Sequence, residues 1–416
     1  MIFTPTLVGG ESIVRLLNGR TFESEFNVPH AARAIVVGSG IAGLSAAIAL
    51  LKAGCEVALY ERSAVLTEVG AGISLWSNAL RSLDKIGAGE AVRKHIEPLR
   101  TSEFRGKEGR VVAVSFPASA LEEALGSHPV IGMIHRARLV ESLASCLPLG
   151  VARYGYEAIA IQDKGSQVEV EFANGHSDVA DVLIGADGIH SRTRSLLWNE
   201  PPPRYSGYTC FRGITEAPAC IESGYLGEWW GRGRRVGITT LKERKVYWWA
   251  TVNAPQGTRT SDKPDRLCNE FRTWAEPVPE LFRTTPEDAI IQNDVIDRRP
   301  SRNWYRGNCL LIGDAAHPVT PNLGQGGCMA IEDASCLLHL FSMQLPVDQL
   351  LPRFLELRKK RVAAINLDSY RLGKVGQWSG SVACWIRDNT ARSLLPIFGP
   401  SMLIKHSRNV DRFLVE

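Results

Sequence analysis

A chain of 416 residues is too long for one ordinary hydrophobic core, and at roughly 100–200 residues per domain it predicts about two or three. Hydrophobic residues make up 44% and charged residues 22%, which excludes a disordered, collagen-like or fibrous chain. A net charge of +4 with no long block of like charges argues against a nucleic-acid partner.

Residues 1–33 have mixed polarity and no clear period, and read as an N-terminal extension. The start Met1-Ile2-Phe3-Thr4-Pro5 has no basic region and no long apolar run, so no secretory signal is expected. The uncharged stretch 34–51 sits at the lower limit for spanning a bilayer. Its spaced glycines and opening β-branched run favour a buried strand, a turn and a helix instead, so no integral membrane segment is expected. The strand is Ala34-Ile35-Val36-Val37, and the helix ends near Gly54. A second strand, Glu56-Val57-Ala58-Leu59-Tyr60, stops at Glu61. Together they form a Rossmann-like βαβ unit, which implies a parallel sheet and a right-handed crossover.

Farther on, 166–173 alternates apolar and polar residues, as a half-exposed strand does, and Asn174-Gly175 closes a hairpin. Val182-Leu183-Ile184-Gly185 is another buried strand, and Pro201-Pro202-Pro203 marks a boundary. Residues 204–253 read as an antiparallel β region dense in aromatic side chains. Cys309-Leu310-Leu311-Ile312 returns as a buried strand, and 346–416 reads as mostly helix. In that last part the run Arg358-Lys359-Lys360-Arg361 reads as a solvated helix face. The nine cysteines are scattered, with no C-x-x-C. That pattern fits reduced thiols in a cytoplasmic protein better than disulfides or zinc. The nine histidines show no metal-ligand spacing, so no metal site is expected.

Three motifs carry chemistry. Gly38-x-Gly40-x-x-Gly43 follows a strand and opens a helix, and an acidic residue, Glu61, ends the next strand. Such glycines let the backbone approach a pyrophosphate. The N–H groups at the start of the helix (Ile41, Ala42) face the phosphates, and Glu61 can accept from the ribose hydroxyls. This motif alone leaves FAD and NAD both open. The second is Gly185-Ala186-Asp187-Gly188-Ile189-His190-Ser191-x-x-Arg194. Ser191 and Arg194 can face a phosphate or ribose, and a strand-to-helix turn with a surface arginine explains the same residues. The third runs from Gly313-Asp314 through Pro318, Pro321 and Asn322 to Gly324-Gln325-Gly326-Gly327. Its glycines suit a backbone lying against a flat ring, with a helix start aimed at it.

These motifs, with Glu61-Arg62, Gly70-Ala71-Gly72-Ile73, His135-Arg136 and Tyr205-x-Gly207-Tyr208, resemble the single-component FAD-dependent aromatic monooxygenases of the p-hydroxybenzoate hydroxylase fold. The match is closest to the salicylate hydroxylase, urate hydroxylase and zeaxanthin epoxidase branch and covers about residues 34–400. The resemblance implies an α/β fold. A Rossmann-like FAD-binding domain would comprise 34–200 and 300–345, an antiparallel β-sheet substrate domain 201–299, and C-terminal helices 346–416.

It also implies roles. Gly38, Gly40, Ile41, Ala42 and Gly43 would hold the FAD pyrophosphate and Glu61 the ribose, with Arg62, Gly72, Arg136 and Asp187 nearby. Asp314 would bond the ribityl chain, and Gly324, Gly326 and Gly327 would line the isoalloxazine. The catalytic candidates are the Pro321 carbonyl and Arg235, although a solvated strand arginine is an equal reading of the latter. Tyr208, Phe211, Trp230 and Trp249 are candidates for a dry, flat-walled substrate pocket; ordinary sheet packing would explain them equally. The implied reaction uses NADH or NADPH and O2 to hydroxylate or epoxidise a small aromatic, heteroaromatic or polyene substrate through a flavin C4a-hydroperoxide. The alternative is a reductase or dehydrogenase on the same scaffold. No second G-x-G-x-x-G occurs, so no separate nicotinamide domain is expected.

Overall fold

The computed structural model describes residues 32–66, 71–126 and 129–408. Most of the extension 1–33, and Gly70 of the resemblance motif, lie outside the described residues. The expected βαβ unit is present as strand Arg33–Val37, helix Ile41–Lys52 and strand Glu56–Glu61. Gly54, at φ +89°, turns the chain out of the helix, a backbone conformation that costs glycine nothing. The two strands pair in parallel. They sit in a six-stranded sheet whose order is 305–306, 309–311, 182–185, 33–37, 56–61, 152–154. Only the 305–306 edge is antiparallel. The central strands are buried on both faces, as a parallel sheet covered by helices requires. One of the covering helices, Gly326–Phe341, is almost wholly buried and packs beside Ile41–Lys52. The hairpin joining Val168–Phe172 to Ser177–Ala180 turns at Gly175, at φ +83°.

The aromatic β region forms a separate seven-stranded sheet in the order 291–297, 204–216, 245–253, 234–241, 225–230, 101–106, 111–117. Its last two strands come from before residue 200, so this sheet is not confined to 201–299. Thr101–Gly106 pairs in parallel with Tyr225–Trp230, and the chain enters this sheet in two separate passes. One face of the sheet carries Phe211, Trp229, Val236, Ile238 and Trp248 against the helices Lys263–Glu270 and Val278–Thr284. The other face looks toward the loop 313–327. The C-terminal part is helical, as expected, in Val347–Gly376 and Ser381–Arg408. No described helix is long and apolar enough to cross a membrane.

Candidate active site

The strand end at Val37 delivers the chain into a turn that only glycine can make twice. Gly38 has φ +104°, and a Cβ there would lie 2.7 Å from the Ala186 carbonyl oxygen. A Cβ on Gly43 would lie 1.8 Å from the Gly38 carbonyl oxygen. Gly40 differs: no protein atom stands within 4 Å of where its Cβ would be. It leads into Ile41–Lys52, whose start has neither a side-chain cap nor an acidic residue. That leaves the N–H groups of the first turn, including those of Ile41 and Ala42, to an anion. Beside them opens a cavity of about 300 Å³ whose lining includes Gly38, Gly40, Glu61, Arg62, Arg136 and Asp187. Glu61 is fixed by Ser39, whose N–H donates at 2.8 Å and hydroxyl at 3.1 Å, and by the Ser63 N–H at 2.9 Å. Burial pushes its carboxyl pKa up, but these hydrogen bonds outweigh it and hold the group below the usual carboxylate range.

Asp187 lines the same cavity but is committed elsewhere. It accepts from the Ser191 hydroxyl at 2.5 Å and the Thr193 N–H at 2.8 Å. Ser191 caps the Arg194 N–H at 2.8 Å. Arg194 is buried and turned inward, donating to the carbonyls of Ala315 (2.9 Å) and Ala316 (3.1 Å) and to Glu200 (2.8 Å and 2.5 Å). The arginine of the second motif is therefore a buried brace that supports the loop 313–327, not a surface arginine, while Asp187, Gly188 and His190 line the cavity.

The loop itself is pinned from below. Asp333 accepts from the Gly313 N–H (2.9 Å), His317 Nε2 (2.7 Å) and Arg358 Nε (2.7 Å). Glu332 accepts from Arg358 (2.6 Å), Arg361 (2.8 Å and 2.5 Å) and Asn78. Arg358 and Arg361 are thus buried ion-pair partners, which corrects the reading of 358–361 as a solvated face; of the four, only Lys360 is exposed. The glycines 324 and 327 pack on the strand Gly72–Trp76: a Cβ on them would reach Ser74 Oγ at 2.5 Å and Ile73 Cδ1 at 2.7 Å. Gly326 has only Val319 and Asp314 near it, at 3.5 and 4.0 Å. Gly72 is small for a different reason, since a Cβ would strike the Tyr247 ring at 2.4 Å. Asp314 accepts no hydrogen bond from the described residues. Solvent reaches it, yet the protein crowded around it pushes its pKa up, against the pull of His317 and Arg136. The Pro321 carbonyl accepts the Gly324 N–H at 2.9 Å, closing a short 3-10 turn.

Side chains then tie loop to sheet. Arg235 is buried on strand Arg234–Leu241 and gives one nitrogen to each of three segments: Nε to Gln377 Oε1 (3.0 Å), Nη1 to Glu228 Oε1 (3.2 Å) and Nη2 to Asn322 Oδ1 (2.7 Å). Asn322 donates to the Tyr208 hydroxyl (3.0 Å), Thr320 Oγ1 (2.9 Å) and the Ser369 carbonyl (3.0 Å). The equal reading of Arg235 as a solvated strand arginine falls. Tyr208 and Trp249 share its face of the sheet, with Trp249 lying over Gly237. Trp230 pairs across the strands with Arg235 itself. Phe211 does not join them. It is an odd number of residues from Tyr208, so it points to the opposite face and into the core with Trp248 and Phe282. As a pocket residue it is corrected. Asn322, Gln377, Glu228 and the pair Glu332 and Asp333 had no role assigned from sequence; only Asn322 stood within a motif.

The residues present fit FAD. Uncapped helix N–H groups beside open space at Gly40 suit a pyrophosphate, Glu61 suits ribose hydroxyls, and Asp314, with no hydrogen-bond donor among the described residues, suits further hydroxyls. Comparison with known proteins agrees. A family model described as "FAD binding domain" matches residues 31–367. The chain is 37% identical over 363 residues to the aurachin C monooxygenase/isomerase of Stigmatella aurantiaca, covering 86% of this chain and 94% of that one. It is 32% identical over 368 residues to the 2-heptyl-3-hydroxy-4(1H)-quinolone synthase of Pseudomonas aeruginosa, covering 87% and 94%. Klebsiella pneumoniae HpxO, crystallised with FAD and uric acid, superposes with a TM-score of 0.86 at 26% identity, over 93% of this chain and 99% of that one. The chain belongs to the FAD binding domain family, among its FAD-dependent monooxygenases.

Proposed function

We propose that this chain uses NADH or NADPH and O2 to hydroxylate a bicyclic heteroaromatic ring of the quinolone kind that carries an apolar tail. Arg235 is the observation that carries the reading. A guanidinium has five N–H donors, and three protein acceptors take one from each nitrogen. The remaining donors, on the face shared with Tyr208 and Trp249, suit the ring carbonyl oxygen that a 4-quinolone presents. The name of the quinolone synthase relative supports that substrate class.

The chain's own residues then divide the work. The turn at Gly38, Gly40 and Gly43, with Glu61, holds the adenosine end of FAD, and Arg62 and Arg136 add positive charge. Asp314 binds the ribityl hydroxyls, and the loop from Pro321 to Gly327 lies along the flavin ring. Bound FAD supplies hydride acceptance from nicotinamide and oxygen transfer from O2. Arg235 orients the acceptor ring, and Tyr208, Trp230 and Trp249 keep water from it. The nine thiols are all unpaired, which supports a reducing, cytoplasmic setting. Incubation with a 2-alkyl-4-quinolone, nicotinamide and 18O2 tests the reading by product mass. Gain of one labelled oxygen atom supports it; loss or gain of two hydrogens without oxygen makes the enzyme a dehydrogenase or reductase instead.

A further inference from the structure

The helix Ser381–Arg408 turns an apolar face outward at its start. Val382, Trp385 and Ile386 are 70%, 68% and 48% exposed, and Trp378 just before them is 38% exposed. The spacing of three and four residues puts the first three on one helix face, while Cys384, Arg387 and Ala391 on the other face are buried. The helix is firmly seated through that inner face. Arg387 donates to the carbonyls of Gly231 (3.1 Å) and Gly376 (3.2 Å) and lies 5.1 Å over the Trp230 ring. The Gly233 N–H donates to the Trp378 carbonyl at 2.7 Å, and Arg232 Nε to that of Ser379 at 2.9 Å. Three outward apolar side chains on a seated helix, with an exposed tryptophan just before it, mark an interaction surface.

The chain on either side of the patch is mainly basic. Between 371 and 394 the basic residues are Arg371, Lys374, Arg387 and Arg392, and the acidic residue is Asp388. Arg387 and Asp388 pair with each other at 2.8 Å. Arg371 is 74% exposed, 3.8 Å from Asp368, and Lys374, Arg392 and the neighbouring Arg232 are also exposed. A two-fold contact between copies of this chain would set that basic rim against itself. An anionic lipid surface complements both the rim and the Trp, Val and Ile side chains.

We propose that the start of this helix docks the enzyme peripherally on an anionic lipid surface. The turn 231–233 it abuts joins the strands carrying Trp230 and Arg235, so docking places the substrate-facing sheet beside the source of a lipophilic substrate. Binding is measured without turnover, so the result is independent of the proposed reaction. FAD-loaded, full-length enzyme is sedimented with phosphatidylcholine vesicles with and without about a third phosphatidylserine. The expected result is binding to the anionic vesicles that weakens as salt rises. The paired change Val382→Ser and Trp385→Ser lowers it about tenfold or more. The paired change Arg371→Glu and Arg392→Glu abolishes the preference for phosphatidylserine while leaving the apolar face intact. Absence of binding to either vesicle, or wild-type binding by both variants, overturns the proposal. So does a wild-type dimer that Trp385→Ser converts to monomer, which assigns the face to self-association.

Discussion

The glycine-turn end of the site and its sheet-facing end are held by different kinds of bond. At the first, backbone does the holding: Gly43 packs on the Gly38 carbonyl, and Glu61 is fixed largely by N–H groups of residues 39 and 63. The glycine turn and Glu61 lie within about thirty residues, the span of one βαβ unit. At the second, side chains from separate segments converge. Arg235, Glu228, Asn322 and Gln377 come from two strands, a loop and a helix end. Beneath the loop, Glu332 and Asp333 meet Arg358 and Arg361 from the next helix. A backbone cradle tolerates change in side chains that point away from it. A convergent side-chain network fails when one member is removed, because its partners stay buried and unpaired.

That contrast sets the order of expected effects. Arg358→Met strips one ion-pair partner from both Glu332 and Asp333, and costs about 3–5 kcal/mol in urea unfolding. A loss below about 1 kcal/mol would show the pairs to be dispensable. Arg235→Gln lowers kcat/KM about 100-fold, or about 2.7 kcal/mol, with FAD affinity unchanged in a fluorescence titration. A parallel loss of FAD would show the two ends to be one unit. Gly43→Ala forces the turn apart and costs about 1–3 kcal/mol, and here the flavin content of the purified protein falls. Phe211→Leu costs about 1 kcal/mol in stability and leaves KM unchanged; a raised KM would put Phe211 back in the pocket.

Acid sharpens the first of these. Burial raises the Glu332 carboxyl pKa, but the charges of Arg361 and Arg358 outweigh it and depress the group from 4.5 to about 2. The folded state therefore holds its proton less tightly than the unfolded chain does. Its stabilising contribution is complete above pH 4.5 and is lost as pH falls toward about 2. Thermal unfolding of Glu332→Gln loses that part of the acid dependence, whereas wild-type steepness in the variant would assign it to other carboxylates.

The same contrast governs what the sequence reveals. The βαβ unit, the Asn174-Gly175 hairpin and the C-terminal helices are set by local pattern, and all are where the pattern puts them. Glu61 was legible because it ends the strand beside the glycine turn. The facing of the aromatic side chains was legible only in part. Tyr208 and Phe211 stand three apart on one strand, so they cannot share a face, and which face meets the loop is settled by pairing across strands. The basic run misled because helical spacing brings Arg358 and Arg361 to one side; only the buried carboxylates of another helix turn that side inward. Gln377 carries no local signal, as it follows the last turn of a long helix and acquires a role only where that end meets Arg235.

Anaerobic reduction of the bound flavin tests the central claim most directly. The holoenzyme is mixed with NADH or NADPH, with and without a 2-alkyl-4-quinolone, and loss of the visible flavin absorbance is followed. The account predicts that nicotinamide bleaches the flavin and that the quinolone accelerates bleaching by orders of magnitude, with Arg235→Gln losing the acceleration but not the basal rate. A flavin that neither nicotinamide reduces, with or without quinolone, would contradict it.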